Sequence, residues 1–154
     1  MSVAFRRDSD EEHLEPKFEL PIPSGPNLVT TTGLALIDTR IADLDAALAD
    51  AEKAADAERV TAIRRDLRYW HTRQATAVLS TPPADGTIGF GSTVDFRLLG
   101  TSRTLSLVGD DEADPARGRI AFSAPLARAL TGGEPGDVLP FNGRDDAIEI
   151  VAVR

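Results

Sequence analysis

The stretch that decides the fold reads VGDDEAD at residues 108–114 and GRIAFSAPLARALTGGEPGDVL at residues 118–139. An acidic turn with a glycine comes first, and a short alternating strand follows it. Pro125 then opens a short helix over Leu126 to Leu130, and a glycine pair closes that helix. This order predicts a sheet with one helix packed across a face.

The sequence around this stretch predicts further strands. Val94, Phe96 and Leu98 alternate with Asp95 and Arg97, which is the pattern of a half-buried antiparallel strand. Turn residues bound the other segments of the same type. The predicted strands are Thr93 to Leu99, Arg103 to Val108, Arg119 to Phe122, Val138 to Phe141 and Ala147 to Val153.

Residues 28–80 have a helical pattern instead. Apolar positions recur there every three or four residues in two runs, and each run predicts one amphipathic helix. The apolar faces of the two helices can pack against each other and so be buried. Thr30 is a candidate N-cap. The spacing fails between Leu48 and Val60, so a hairpin turn is predicted at residues 49–58, with one continuous helix of about 45 residues as the alternative. The seam residues are Leu34, Ile37, Ile41, Leu44 and Leu48, then Val60, Ile63, Leu67, Trp70, Gln74 and Ala77.

The predicted fold class is therefore α+β, with an N-terminal antiparallel coiled-coil hairpin followed by an antiparallel sheet with one short helix. Four segments make up the predicted domain organisation. Residues 1–27 are polar and then proline-rich, and they predict a disordered N-terminal arm. Residues 28–80 form the hairpin, residues 81–86 a linker, and residues 87–154 the C-terminal domain.

Composition excludes several classes of protein. The chain of 154 residues contains no cysteine, so disulfides and thiolate metal sites are excluded. No apolar run approaches the roughly 20 residues that span a bilayer, which predicts a cytoplasmic protein without a membrane partner. A formal net charge of -8 argues against general nucleic-acid binding.

Four ordered motifs resemble the Gre-type transcription elongation factors, the GreA/GreB family. They are LVTTTGL at residues 28–34, FGSTV at residues 90–94 and the two runs quoted first, at residues 108–114 and 118–139. The resemblance implies an FKBP-like C-terminal domain that docks on the rim of the secondary channel of bacterial RNA polymerase, while the coiled coil reaches inward. It also implies a monomeric regulator that is not itself an enzyme. Such a factor has no cofactor of its own and shares magnesium with the active centre of the polymerase.

In that family, acidic side chains at the hairpin tip help to hold a magnesium ion in a two-metal reaction. The corresponding candidates are Asp56 with Glu58, and next Asp50 with Glu52. The family's active pair lies three residues apart within G-D-L-K-E-N-A-E-Y, whereas Asp56 and Glu58 are two apart and lack that sequel. The alternative interpretation is that these acids only solvate a helix end.

The hairpin is also short compared with cleavage-active members of the family. About 20 residues are missing between Gly33 and Phe90, which removes on the order of 15 Å of reach. The resemblance therefore predicts a regulator of elongation without strong stimulation of transcript cleavage. Two alternatives remain open: a cleavage-stimulating factor, and a short-coil interaction module of the nucleoside diphosphate kinase regulator type. A prolyl isomerase is disfavoured, because only 5% of the residues are aromatic.

Two further sets of candidate residues follow from the resemblance. Polymerase docking is assigned to Ser123, Ala124, Pro125 and Arg128, with Ala124 replacing a serine of the family. A basic patch on the second helix is assigned to contact with nascent RNA through phosphates. Ion pairing with acids of the hairpin is the alternative role for this patch. Its members are Arg59, Arg64, Arg65, Arg68 and Arg73.

Overall fold

The computed structural model describes residues 19–154, so residues 1–18 of the predicted arm lie outside the described part. The chain divides into two compact units. The hairpin unit comprises residues 38–75 together with residues 19–24 of the arm, and the sheet unit comprises Gly25–Ile37 and Thr76–Arg154. These limits differ from the predicted domain limits at both ends of the hairpin. Residues 19–27 contain no helix or strand.

Two helices form the predicted hairpin: α1 at Thr31–Lys53 and α2 at Ala57–Thr76. Ala55 adopts a left-handed conformation with φ of 53°. The Ala55 amide donates to the Glu52 carbonyl at 3.1 Å, and the Asp56 amide donates to the Ala51 carbonyl at 3.0 Å. This pair of bonds is the Schellman arrangement that ends a helix. The predicted turn is confirmed, and the continuous helix is wrong.

The predicted apolar seams supply the buried residues of the hairpin unit. Ile41, Ile63 and Leu67 are buried, as is Ala51 beside them. Gln74 departs from the prediction, because it is exposed and its amide donates to Asp38 on α1 at 3.0 Å. The two helices are therefore antiparallel neighbours held by apolar side chains in the middle and by a polar bond near one end.

The sheet unit contains five strands, β3 at Thr93–Leu98, β4 at Thr101–Val108, β5 at Arg119–Ala121, β6 at Val138–Phe141 and β7 at Arg144–Val153. Their order in the sheet is β5-β4-β3-β7-β6. The pairs β3–β4, β3–β7 and β6–β7 are antiparallel, and β4–β5 is parallel. A short helix, α3 at Pro125–Leu130, follows β5 as predicted. The α+β class is confirmed, and the sheet is mixed because of its one parallel edge.

Alternation along the strands places the apolar residues on one face, against α3. Val94 and Phe96 of β3 are buried there with Ile148 and Ile150 of β7. Gly133, after α3, lies so close to this layer that an added Cβ would sit 2.4 Å from Ile150 Cδ1. The glycine pair of the quoted stretch therefore ends the helix and also lets the chain approach the core. The remaining core residues are Ile88, Leu105, Leu107, Ala127, Leu130 and Ala147.

The structure adds a two-stranded parallel sheet that was not predicted. The strand β1 at Leu28–Val29 pairs with β2 at Val78–Leu79. Gly109 packs against this sheet, since a Cβ added to it would lie 2.4 Å from the Leu28 carbonyl oxygen. Both ends of the segment predicted as the coiled-coil hairpin, residues 28–80, are therefore strands that pair with each other. Within residues 19–154, no helix has the combination of length and apolar composition needed to cross a bilayer.

Candidate functional site

The hairpin tip carries the predicted acids, and Asp56 has a structural role there. Its Oδ1 accepts a hydrogen bond from the Arg59 amide at 3.2 Å, and its carbonyl accepts one from the Val60 amide at 3.0 Å. Asp56 is thus the N-cap of α2, where an acidic side chain also interacts favourably with the helix dipole. Asp56 was the first candidate for helping to hold magnesium, and one of its carboxylate oxygens therefore already accepts a hydrogen bond within the hairpin.

The other tip acids are exposed. Glu58 lies in the first turn of α2, and Asp50 lies in the last turn of α1. Glu52 forms a long ion pair with Arg64 across the hairpin, at 3.8 Å. Among residues 19–154, no three His, Cys, Asp or Glu side chains converge as metal ligands would. The tip presents negative charge without a preformed coordination set.

The predicted basic patch is only partly accessible. Arg59, Arg64 and Arg68 are exposed and Arg65 is half-buried, whereas Arg73 is 2% exposed. Burial removes Arg73 from any surface that could contact RNA, and the prediction for this residue is corrected accordingly. Sequence reasoning missed this, because Arg73 lies outside the apolar seam and no spacing rule predicts a buried arginine.

Three of these arginines have acidic partners. Arg64 pairs with Glu52, and Arg65 pairs with the adjacent Asp66 at 2.9 Å. Arg68 holds Glu19 with two hydrogen bonds, one of them from Nε to Oε2 at 3.2 Å. The hydrogen bond from Arg68 lowers the pKa of Glu19, and the charge of Arg65 acts in the same direction.

Glu19 also borders a groove on the outer face of α2, which we call the arm groove. It is open to solvent along one face of the helix and has a volume of about 750 Å³. The walls combine small side chains with the stems of arginines, so the groove is apolar inside and charged at its rim. Sequence reasoning missed Glu19, because no motif marks it. The lining residues are Glu19, Ala57, Glu58, Thr61, Ala62, Arg65 and Arg68.

The predicted docking residues lie together in the sheet unit, in the loop that leads into α3. Ser123 is exposed and its Oγ donates to Asp110 Oδ1 at 3.1 Å. Ala124 is the N-cap residue of α3 and supplies no side-chain cap, and Pro125 occupies the first turn. Arg128 is exposed on the same helix. The structure thus brings all four into one continuous surface segment, the docking loop.

Two carboxylates of the acidic turn before the docking loop, Glu112 and Asp114, make contacts within the sheet unit. Thr30 donates to Glu112 at 2.5 Å, and the same Thr30 oxygen accepts from the Gly33 amide at 2.9 Å. The predicted N-cap is confirmed by this second bond. Asp114 pairs with Arg117 at 3.5 Å. Glu112 thus contacts the cap of α1, and Asp114 stabilises the turn at Pro115–Arg117.

Comparison with known proteins shows a similarity over the C-terminal half of the chain. The family model described as "Transcription elongation factor, GreA/GreB, C-term" matches residues 83–154. The chain is 45% identical over 80 residues to the transcription elongation factor GreA of Thioalkalivibrio sulfidiphilus, covering 49% of this chain and 51% of that protein. It is 43% identical over 76 residues to GreA of Pseudomonas aeruginosa, covering 47% of this chain and 48% of that protein.

Solved structures give weaker likenesses. GreA factor homolog 1 of Thermus thermophilus superposes with a TM-score of 0.38 at 18% identity, covering 84% of this chain and 99% of that one. GreA/GreB of Nitrosomonas europaea superposes with a TM-score of 0.39 at 22% identity, covering 82% of this chain and 97% of that one. These scores are too low to add to the fold described above.

The chain spans about half the length of the curated relatives it matches. The matched half contains the docking loop, the glycine exit and the whole five-stranded sheet. Residues 83–154 thus match the family model of the GreA/GreB C-terminal domain, and over about half of its length the chain is similar to transcription elongation factors named GreA.

Proposed function

We propose that this chain binds bacterial RNA polymerase at the secondary channel and modulates transcription elongation without strong stimulation of transcript cleavage. The observation that carries the proposal is the occurrence, in one chain, of a GreA/GreB C-terminal domain and a two-helix hairpin. The docking loop, with Ser123, Pro125 and Arg128, is the surface we assign to the polymerase rim.

The dimensions of the hairpin suit a channel. Helix α2 has 20 residues, which corresponds to about 30 Å at 1.5 Å per residue. Two packed helices 8–10 Å apart make a rod only about 20 Å wide. Such a rod can occupy a funnel through which nucleotides or extruded RNA pass, and occupancy alone alters elongation.

The chemistry of the tip argues against strong cleavage stimulation. Magnesium needs oxygen ligands at about 2.1 Å in near-octahedral geometry. Asp56 already caps α2 with one oxygen, and Glu52 is paired with Arg64. In the described residues the tip acids do not converge. Any magnesium contact would therefore have to be organised by the polymerase, from a hairpin shorter than that of cleavage-active members.

The four surface arginines of α2 are the residues we assign to nascent RNA. Arg59 lies in the first turn of α2, the adjacent Arg64 and Arg65 follow between one and two turns later, and Arg68 lies about one turn beyond them. Phosphate contacts of this kind position a strand without reading its sequence. We expect each contact to contribute modestly, because three of these side chains already have acidic partners.

A cleavage assay on backtracked elongation complexes tests the noncatalytic part of the proposal. The sharpest variant is Asp56→Asn with Glu58→Gln, because asparagine caps a helix about as well as aspartate and the fold is kept. We expect the wild-type chain and the variant to release RNA at the same low rate as polymerase alone. Robust release by the wild-type chain that the variant abolishes would show a cleavage factor instead.

Affinity capture with the full chain tests the partner. We expect bacterial RNA polymerase subunits to be recovered at low salt. Recovery of nucleoside diphosphate kinase in their place would favour the kinase-regulator alternative. Substitution of Ser123 and Arg128 by alanine should weaken polymerase capture, whereas Arg103→Ala on the sheet is the matched control for loss of an exposed arginine.

A further inference from the structure

One acid of the acidic turn contacts the start of α1 from a buried position. Glu112 is only 8% exposed, and its Oε1 accepts a hydrogen bond from the Thr30 hydroxyl at 2.5 Å. None of the ion pairs among residues 19–154 involves Glu112. A buried carboxylate needs compensation for its lost hydration. Here the Thr30 hydroxyl and the positive end of the α1 dipole supply it.

The position of Glu112 is that of a capping-box side chain. In a capping box, a Ser or Thr N-cap is followed three residues later by a Glu that reaches back toward the N-cap. Thr30 is such an N-cap, since its hydroxyl oxygen accepts from the Gly33 amide at 2.9 Å, but the residue three positions on is glycine. A Cβ added to Gly33 would lie 2.8 Å from Glu112 Oε1. Glu112 therefore fills the space of the side chain that Gly33 lacks.

The helix has no carboxylate of its own at this end, because the first turn of α1 contains no acid. An acid near a helix N-terminus interacts favourably with the helix dipole. Donation to a carboxylate also polarises the Thr30 hydroxyl and strengthens it as the acceptor for the Gly33 amide. The Leu34 amide then donates to the Thr30 carbonyl at 2.9 Å, where the regular helix begins. Glu112 thus sets how firmly the first turn of α1 forms.

The same acidic turn also holds the docking loop. Ser123 Oγ donates to Asp110 Oδ1 at 3.1 Å. The turn between the two acids is closed, since the Glu112 amide donates to the Gly109 carbonyl at 3.1 Å, and Gly109 packs against the backbone of β1. All of these residues and the first two turns of α1 belong to the sheet unit. One short, tightly packed turn therefore contacts the docking loop with one carboxylate and the start of α1 with another.

From these contacts we propose that the acidic turn is a latch between the docking loop and the first turn of α1. Glu112 caps α1 in place of a residue on the helix itself, and Asp110 holds the loop through Ser123. A partner that takes the Ser123 hydroxyl from Asp110 frees the turn, and the first turn of α1 loosens with it. The latch is a property of the chain alone, so its test does not depend on the proposed polymerase partner.

Amide hydrogen exchange in the full chain tests the latch, with the Gly33 and Leu34 amides as reporters. Ser123→Ala removes a hydroxyl from the docking loop and changes no residue of α1. We expect protection of both amides to fall by about twofold or more, as for sites that are energetically coupled. Ser102→Ala, at another exposed serine of the sheet unit, is the matched control and should leave both amides unchanged. Unchanged protection in Ser123→Ala would overturn the proposal.

A double-variant cycle separates coupling from two independent local effects. Glu112→Ala alone should lower the protection of both amides by about fivefold, the factor that corresponds to a lost helix cap of about 1 kcal/mol. Adding Ser123→Ala to Glu112→Ala should then change little, because the contact with α1 is already lost. Additive losses would show that the loop and the helix respond independently, and the latch would be rejected.

Moving the carboxylate onto the helix separates the cap from the latch. Gly33→Glu in the Glu112→Ala background places a capping-box acid on α1, and Gly33→Ala in the same background is the control for helix propensity alone. We expect protection of the Leu34 amide to recover more with glutamate than with alanine and to stop responding to Ser123→Ala. Equal recovery would overturn the capping role of Glu112, and a continued response to Ser123→Ala would overturn the latch. Circular dichroism verifies that the variants keep their helices.

Discussion

At the residue scale, one alanine explains why the hairpin turn leaves so little trace in the sequence. Ala55 takes the left-handed position that usually belongs to glycine, with φ of 53°. Sequence rules look for glycine or proline at such a turn, and residues 49–58 contain neither. The position could be inferred only from the break in the apolar spacing, which located the turn to within ten residues.

Replacing Ala55 by glycine should stabilise the chain. The left-handed conformation costs an L-residue roughly 1–2 kcal/mol, and glycine avoids most of this, less its own entropy cost in the unfolded state. We expect the free energy of unfolding in urea to rise by about 1 kcal/mol. Ala54→Gly is the matched control, since Ala54 does not have a positive φ, and it should not stabilise. A loss of stability in Ala55→Gly would contradict the turn geometry.

Asp56 permits a second prediction at this scale. Its carboxylate caps α2 through the Arg59 amide, so Asp56→Ala should lower the free energy of unfolding by about 1 kcal/mol. Asp56→Asn should change it little, because asparagine retains the capping oxygen. Equal losses in the two variants would mean that charge, and not the cap, supplies the stability.

A third prediction at this scale concerns Gly109. An added Cβ would lie 2.4 Å from the Leu28 carbonyl oxygen, a backbone atom that cannot easily move. We expect Gly109→Ala to destabilise the sheet unit by about 1–3 kcal/mol, as overpacking does. Gly33→Ala is the comparison, because a Cβ added there would lie 2.8 Å from a side-chain oxygen of Glu112, which can move more easily than backbone even though Thr30 donates to it. A smaller effect at Gly109 than at Gly33 would contradict the close packing of the two backbones.

At the element scale, a side-chain bond couples strands β3 and β4 and responds to pH. Thr104 donates to Asp95 at 2.7 Å, and Arg154 donates to the same carboxylate. The Thr104 hydrogen bond, followed by the one from Arg154, lowers the pKa of Asp95. Because the folded-state pKa lies below the unfolded value of about 3.9, this stabilisation is complete above that value and is lost as the pH falls through the folded pKa.

Acid unfolding therefore tests this contact between the strands. The stability difference between the wild-type chain and Asp95→Asn should be constant near neutral pH and should shrink below about pH 4. Asp145→Asn, at an exposed position of β7, is the control and should follow the wild-type profile more closely. A difference that grows on acidification would contradict the lowered pKa.

Strand and helix positions were largely predictable, because alternation and helical spacing reflect burial directly. The predicted strands at Thr93, Arg119 and Val138 begin where the structure begins them, and Pro125 opens α3. The β1–β2 pair could not be predicted, since two residues are too few to show a period. The parallel β4–β5 edge also escaped prediction, because short strands joined by a turn are normally antiparallel.

Of the candidate site, only the residues that lie within sequence motifs could be predicted. The docking loop follows from the quoted stretch, and its four residues lie together. The cap made by Asp56, the burial of Arg73 and the Glu19–Arg68 contact depend on packing between segments that no local pattern reveals.

For the whole molecule, charge distribution matters more than net charge. The formal charge of -8 conceals a basic helix face, an acidic tip and an acidic N-terminal segment. Binding that uses the basic face should weaken as salt rises, since phosphate contacts release counterions. Polymerase association that is unaffected between low and high salt would place the main contact on the docking loop alone.

The most direct test of the account is photo-crosslinking of the full chain to bacterial core RNA polymerase at low salt. The crosslinker is attached at Ala54, in the hairpin turn. We expect crosslinks to residues that line the secondary channel, and competition by unlabelled chain. An absence of association with core polymerase, or crosslinks confined to its outer surface, would contradict the claim that the hairpin enters the channel.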